Sequence, residues 1–157
     1  MIKDKIKTRS QLVRLVRQLK KRKKRIVFTN GCFDILHSGH VYYLERAKRL
    51  GDCLVVGLNS DRSVRRIKGK GRPVNTENDR ACVLSALASV DFVSVFSEET
   101  PLDLIKLVKP DVLVKGSDWK TAQIAGAKEV LSWGGKVNRA TLLKGRSTTA
   151  TIKKLKK

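Results

Sequence analysis

The stretch Thr29-Asn-Gly-Cys-Phe-Asp-Ile-Leu-His-Ser-Gly-His40 decides the fold. It follows a short apolar run, residues 25–29, whose Ile, Val and Phe favour a strand. Asn30-Gly31 is predicted to break that strand, because glycine lets the backbone turn tightly and expose its N–H groups. Residues 40–50 then carry helical spacing and are closed by Gly51. Residues 53–58, Cys-Leu-Val-Val-Gly-Leu, form a second apolar run without polar alternation. A strand of that kind is buried on both faces, as in a parallel sheet covered by helices. Strand, turn, helix and buried strand make one βαβ unit.

The alternation continues on both sides of that unit. Upstream, Leu12, Val13, Leu15, Val16 and Leu19 recur at helical spacing, which predicts an amphipathic helix over 8–21. Downstream, a helix over 61–67 leads into the loop Lys68-Gly-Lys-Gly-Arg-Pro73. A helix over 76–88 follows, with Thr76 as N-cap and Asp79 at its third position. Strands are predicted at 92–96 and 112–115, with a helix from Pro101 to about residue 108 between them. A helix over 124–133 ends at Gly134-Gly135, and a weak fifth strand over 136–143 is interrupted by Asn138 and Arg139. The last helix starts at about Ser147. The expected architecture is a Rossmann-like, doubly wound, five-stranded parallel α/β sheet. A basic helical segment over 1–24 is expected to pack on the domain formed by 25–157, giving a single domain overall.

Composition narrows the class. The chain has 157 residues, 41% hydrophobic and 31% charged, enough for one core of ordinary size. No apolar run approaches the roughly 20 residues of a transmembrane helix. Met1-Ile-Lys-Asp-Lys5 lacks the apolar segment of a secretory signal. Cys32, Cys53 and Cys82 form neither a C-x-x-C pair nor an even disulfide framework, which points to a reducing cytoplasm. The net charge of +21 lies at the ends: residues 1–25 hold 12 Lys/Arg and one acid, residues 136–157 hold eight and none. Such ends either keep a surface solvated or meet RNA, anionic lipid or an acidic partner. The lack of interleaved aromatics favours solvation over nucleic acid.

In a doubly wound sheet, ligands bind beyond the carboxyl ends of the strands, where the strand order reverses. The residues after each strand therefore carry the function. His37 and His40, the only histidines, stand three apart at a helix mouth whose first turn holds no acid. The positive end of that helix welcomes an anion, and two imidazoles with free N–H groups suit a polyphosphate. Two surface histidines at a helix cap are the plain alternative. Cys32, His37 and His40 could be zinc ligands, but no fourth ligand has evident spacing, so no metal site is expected. After the second strand come Asn59-Ser-Asp61 and the cations Lys68, Lys70 and Arg72, which can wrap a triphosphate or simply face solvent. After the fourth comes Lys115-Gly-Ser-Asp118-Trp119, where Gly116 permits close backbone approach and Asp118 can take a sugar hydroxyl or orient a cation. The last helix opens Gly145-Arg-Ser-Thr-Thr149, a second anion-accepting N-terminus or plain capping by Ser147. Walker and dinucleotide-binding glycine motifs are absent.

Residues 29–40 fit T-x-G-x-F-D-x-x-H-x-G-H, the signature of the cytidylyltransferase-like nucleotidyltransferases. Val56-Gly-Leu-Asn-Ser-Asp61, Arg65-Arg-Ile-Lys-Gly69, Arg72-Pro-Val-Asn75, Leu113-Val-Lys-Gly-Ser-Asp118 and Gly145-Arg-Ser-Thr-Thr149 resemble, within that family, the heptose-1-phosphate adenylyltransferase domain. The resemblance runs over residues 8–157. Ser117 stands where close members carry glycine, and Lys144 where they carry an acid. A heptose kinase domain often precedes this domain in the family, and the stand-alone form is expected here.

The resemblance implies the HxGH nucleotidyltransferase type of the fold. It also implies ATP as a substrate, Mg2+ carried mainly by the phosphates, a sugar 1-phosphate acceptor and a homodimer. Catalysis would fall to His37, His40 and Lys68. Thr29, Asn30, Gly31, Cys32, Phe33 and Asn59 would hold ATP from the first two strands. Lys115, Gly116 and Asp118 would hold it from the fourth, and Arg146, Ser147, Thr148 and Thr149 would bind its β- and γ-phosphates. Asp34, Arg72 and Arg80 would bind the sugar phosphate. A sugar 1-phosphate with its second pKa near 6 is largely dianionic at neutral pH, so it can attack the α-phosphorus without a general base. The rivals are a same-fold enzyme of the glycerol-3-phosphate cytidylyltransferase type, and a non-catalytic basic module that holds RNA or an acidic partner.

Overall fold

The structure, a computed structural model, describes residues 1–141 and 148–155. Five strands form one sheet: β1 (Ile26–Gly31), β2 (Cys53–Asn59), β3 (Phe92–Phe96), β4 (Val112–Gly116) and β5 (Lys136–Ala140). All pairings are parallel, in the order β3-β2-β1-β4-β5. The chain winds outward from β1 to β3, then returns to the other side of β1 for β4 and β5. The reversal between β1 and β4 is where such sheets open a crevice.

Among the described residues, seven α-helices connect and flank the strands: α1 (Arg9–Lys21), α2 (Ser38–Lys48), α3 (Asp61–Lys68), α4 (Glu77–Ala86), α5 (Leu102–Val108), α6 (Ala127–Ser132) and α7 (Thr148–Leu155). Side-chain alternation along the strands divides the core in two. Val27, Leu54, Val56 and Val114 face α2 and α4 through Leu44, Ala47, Ala81 and Leu84. Ile26, Phe28, Val55 and Leu113 face α1, α5 and α6 through Leu12, Val16, Ile105 and Val130. Helices on both faces make the sheet doubly wound, as expected, and β2 is buried along its whole length.

Three of the boundaries that differ from the sequence reading do so for a plain physical reason. β1 runs through Asn30 and Gly31, because both stay in the ladder opposite Gly57 and Leu58 of β2. Pairing with a fully buried neighbour outweighs their turn preference. β5 is continuous through Asn138 and Arg139, which pair with Val114 and Lys115. It is an edge strand, and such a strand accepts polar side chains that face solvent. The expected helix over 124–133 shortens to α6, preceded by a 3-10 turn over Thr121–Gln123. Gly126 between them has φ +84, and a Cβ there would lie 2.7 Å from Ile105 Cδ1.

The other sheet edge is covered by the N-terminus. Ile6 bridges Val93 of β3, Lys7 N donates to Val93 O at 2.8 Å, and Lys5 Nζ donates to Val90 O at 2.7 Å. α1 is capped by Thr8, whose side chain accepts from Gln11 N while Gln11 Oε1 accepts from Thr8 N, and it buries Leu12 and Val16.

Candidate active site

Above the point where β1 and β4 part, a cleft of about 700 Å³ opens. The β1–β4 ladder pairs Val27 with Val112 and Phe28 with Leu113 and goes no further. Tyr43 of α2 fills the gap beyond. Its hydroxyl lies 2.7 Å from Thr29 Oγ1 and donates to Val114 O at 3.2 Å, and burial pushes its pKa up to about 12. Lys115 closes the span, donating to Asn30 O at 3.3 Å and Asn30 Oδ1 at 3.2 Å. Burial lowers the Lys115 pKa, with Lys68 pushing the same way and Cys32 and Asp118 opposing.

The β1–α2 loop carries the histidines. Phe33 sits at φ +44, an uncommon backbone region for a side chain of its size. Its ring folds back so closely on Gly31 that a Cβ there would lie 2.9 Å from Phe33 Cε2. The same ring meets the His40 imidazole edge-on at 5.3 Å. His37 is the N-cap of α2, three residues before His40 in its first turn, and the two imidazoles stack at 3.9 Å. The helix thus begins two residues earlier than its apolar spacing implies, and no acid occupies its first turn. Burial, with His37 adjacent, pushes the His40 pKa down to about 4, so at neutral pH this imidazole is uncharged. His40 Nδ1 is buried without a hydrogen-bond partner among the described residues.

Most of the residues singled out in the sequence meet in this one cleft. Asn30, Gly31, Cys32, Phe33, His37 and His40 line it from the first loop. Asn59, Lys68 and Arg72 line it from the β2 side, and Lys115, Gly116 and Asp118 from the β4 side. Thr148 and Thr149 close it from α7, where Thr148 Oγ1 donates to Ile35 O at 3.3 Å. Arg146 and Ser147 lie outside the described residues. The Cys32 thiol is raised in pKa by burial, against the cations Lys68, Arg80, Lys115 and Arg72.

Three residues take other places than the motif implied. Thr29 is fully buried and occupied with Tyr43, so it does not reach the cleft wall. Arg80 is only 2% exposed and holds the walls from behind. It donates to Cys32 O at 2.6 Å, Asn59 O at 2.8 Å, Asn75 O at 3.0 Å and Asp61 Oδ1 at 2.8 Å. Asp34 touches the cleft, but its carboxylate is engaged by Arg72 Nε at 2.7 Å and by the Val74 and Asn75 N–H groups, each at 2.9 Å. Burial raises its pKa, and those hydrogen bonds lower it by more. The sequence reading gave no role to Tyr43, Trp119, Glu99 or Thr100, all of which line the cleft. Tyr43 follows the second histidine by one turn, a spacing that places it against β1. Glu99 and Thr100 carry no local signal.

Residues 28–148 match the family model described as Cytidylyltransferase-like. The chain belongs to the cytidylyltransferase-like family. Its relatives include the Bifunctional protein HldE of Wolinella succinogenes, 52% identical over 97% of this chain, and that of Acidiphilium cryptum, 55% identical over the same share. The chain spans about a third, 31%, of the length of these curated relatives. Among solved structures, the lipopolysaccharide core biosynthesis protein from Thermoplasma volcanium superposes with a TM-score of 0.62 at 34% identity, covering 78% of this chain and 99% of that one. Pantoate-beta-alanine ligase from Francisella tularensis superposes with a TM-score of 0.64, covering 95% of this chain and 72% of that one. At 16% identity the second shares the fold alone. Within this cytidylyltransferase-like domain, the cleft at the strand reversal gathers cations, imidazoles and two helix N-termini, an arrangement made for a polyphosphate.

Proposed function

We propose that the protein is an adenylyltransferase that joins the AMP moiety of ATP to D-glycero-D-manno-heptose 1-phosphate. The products are ADP-heptose, for the lipopolysaccharide core, and pyrophosphate. The observation that carries the transfer chemistry is the stacked His37–His40 pair at the N-terminus of α2, facing Lys68, Lys115 and the start of α7 across one cleft. The motifs of the heptose branch and the likeness to a lipopolysaccharide core biosynthesis protein support the acceptor.

The acceptor's phosphate oxygen attacks the α-phosphorus. One P–O bond forms, the α–β bridging P–O bond breaks, and the electron pair leaves with pyrophosphate. No proton needs to be removed from a dianionic nucleophile, so the protein's work is alignment and charge neutralisation. Neutral His40, and His37 beside it, offer N–H donors to phosphate oxygens. Lys68 and Arg72 neutralise the entering phosphate. Among the described residues no three His, Cys, Asp or Glu side chains cluster as a metal cage, and the Asp34 carboxylate is engaged. This fits Mg2+ that arrives on the ATP phosphates with most of its ligands from phosphate and water.

Pyrophosphate release from ATP or CTP, paired with heptose 1-phosphate, glycerol 3-phosphate, phosphopantetheine or nicotinamide mononucleotide, tests the reading. ATP with the heptose phosphate is expected to turn over fastest. Preference for any other pair overturns the acceptor, and silence with every pair overturns the enzyme. The working unit we infer is a homodimer, supported by the outer edge of β5, which pairs with no further strand among the described residues, and by the exposed Val41 and Tyr42 of α2. Light scattering that gives one chain's mass at micromolar concentration overturns it. Three free cysteines fit a reducing compartment such as the cytoplasm.

A further inference from the structure

We propose that Tyr43 is a positioning residue for the transfer: its hydroxyl is a strut that fixes the gap between β1 and β4 and sets the place of the helix that carries His40. This rests on the nucleotidyltransferase reading and adds to it the group that positions the histidine.

The strut shows in the way the sheet parts. β1 stays paired with β2 through Gly31, and β4 stays paired with β5 through Gly116. Between β1 and β4 the backbone ladder joins Val27 to Val112 and Phe28 to Leu113, and stops. In the same register the next pair is Thr29 and Val114, and there the Tyr43 hydroxyl takes the place of a backbone bond. The pair after that is Asn30 and Lys115, spanned by the longer Lys115 side chain through Nζ. Next come Gly31 and Gly116, both lining the open cleft. The sheet thus opens in steps, from backbone bond to hydroxyl to ammonium to cleft.

The proton count gives the strut a direction. A phenol carries one proton, and a carbonyl can only accept. The Tyr43 proton goes to Val114 O at 3.2 Å, so the Tyr43 oxygen accepts from Thr29 Oγ1 at 2.7 Å. Tyr43 is 6% exposed and Thr29 and Val114 are fully buried, which leaves water little access to replace either bond.

Those two bonds also hold α2. Leu44 and Ala47 press the helix on the sheet, but apolar attraction has no direction and leaves it free to slide. Hydrogen bonds are directional, and those of Tyr43 reach both strands. His40 lies one turn ahead on the same helix, with its ring against Phe33. Holding Tyr43 therefore holds the imidazole at the opening.

Tyr43→Phe keeps the ring and removes the strut. It should lower kcat about 10²-fold, the cost of a misplacement of about 1 Å, while the KM values for ATP and the acceptor stay near wild type. The urea midpoint should also fall, because the Thr29 hydroxyl is left buried and unpaired. Adding Thr29→Val removes that hydroxyl, so stability should recover while turnover stays low. Should Tyr43→Phe alone not fold, this double variant carries the test. The two histidines give a second readout, since the His40 imidazole proton signals in NMR feel the ring currents of Phe33 and His37. They should shift in both variants. Turnover that recovers together with stability in the double variant overturns the proposal, because Tyr43 would then act through the fold alone. So does wild-type kcat in Tyr43→Phe, and so do unshifted His40 signals. A wild-type chain that releases no pyrophosphate from any substrate pair overturns the nucleotidyltransferase reading, and the positioning role falls with it.

Discussion

Asp34 and His40 sit six residues apart on one connection, and they are completed differently. The Asp34 carboxylate accepts three donors from the 72–75 loop, and its carbonyl accepts a fourth from Asn75 Nδ2 at 2.8 Å. The His40 imidazole packs against the Phe33 and His37 rings, with a buried Nδ1 that finds no partner among the described residues. A buried polar atom without a partner costs free energy, so a fold keeps one where something else supplies the partner. Asp34 is engaged as Arg80 and Thr29 are, and the three shape the walls; His40 Nδ1 lies at the cleft, where the proposed substrates would supply its partner.

The sharpest way to break this distinction is Asp34→Ala. Removing one partner of a buried, hydrogen-bonded ion pair typically destabilises by about 3–5 kcal/mol. The loss should appear as a lower unfolding midpoint in urea, with activity falling because the loop is loose. A variant as stable as the wild type would show that the 72–75 loop does not depend on Asp34. The pH dependence has a definite sign. The hydrogen-bonded carboxyl titrates below its ordinary value, so its stabilisation is present at neutral pH and is lost as pH falls through the folded-state value.

Next in size is the opposite outcome at the histidines. His37→Ala and His40→Ala should each lower turnover roughly 10²–10³-fold, about 2.7–4 kcal/mol for one preorganised donor. ATP binding should weaken far less, and the melting temperature should hold. Near-wild-type turnover in either variant removes that histidine from the mechanism.

A smaller effect follows from the His40 pKa of about 4. The unfolded chain takes up a proton near the ordinary value of about 6.5, while the folded protein keeps this imidazole neutral. Stability should therefore be full above about 6.5 and decline as pH falls toward about 4. His40→Asn should flatten part of that decline. Urea midpoints across this pH interval that run parallel in the two proteins would sink the assignment.

What the sequence made legible follows the same division. The apolar runs at 53–58 and 92–96 name their strands because burial on both faces leaves no room for polar residues. The placement of His37, His40 and Lys68 at the cleft is legible because a helix mouth without acids, and cations separated by glycines, follow directly on predicted strands and helices at the carboxyl end of the sheet. Arg80 was named through the resemblance as a sugar-phosphate contact, but its buried place was not legible, since on a solvated helix face its charge would be ordinary. Only the fold reveals that its guanidinium is buried against the carbonyls of Cys32 and Asn59. β5 was misread at Asn138 and Arg139 because an edge strand tolerates what a central strand excludes.

The smallest expected effect concerns the basic N-terminal run, and it separates cations of the cleft from cations of the surface. Lys20 donates to Lys109 O, just before β4, and Lys24 lies 3.4 Å from Asp52, just before β2. Both anchors are at the amino end of the sheet. The six residues of β1, at roughly 3.3 Å each, put about 20 Å between that end and the cleft. At physiological salt exposed charges are screened beyond about 8 Å. Lys21→Gln, Arg22→Gln and Lys23→Gln together should therefore leave kcat/KM within about twofold of wild type, with the same dependence on salt. Lys68→Gln, at the cleft itself, should lower it and flatten that dependence. A tenfold loss in the triple variant, about 1.4 kcal/mol, would mean that the run reaches the substrates after all. The distance between the two ends of the sheet would then not be what separates the two kinds of cation.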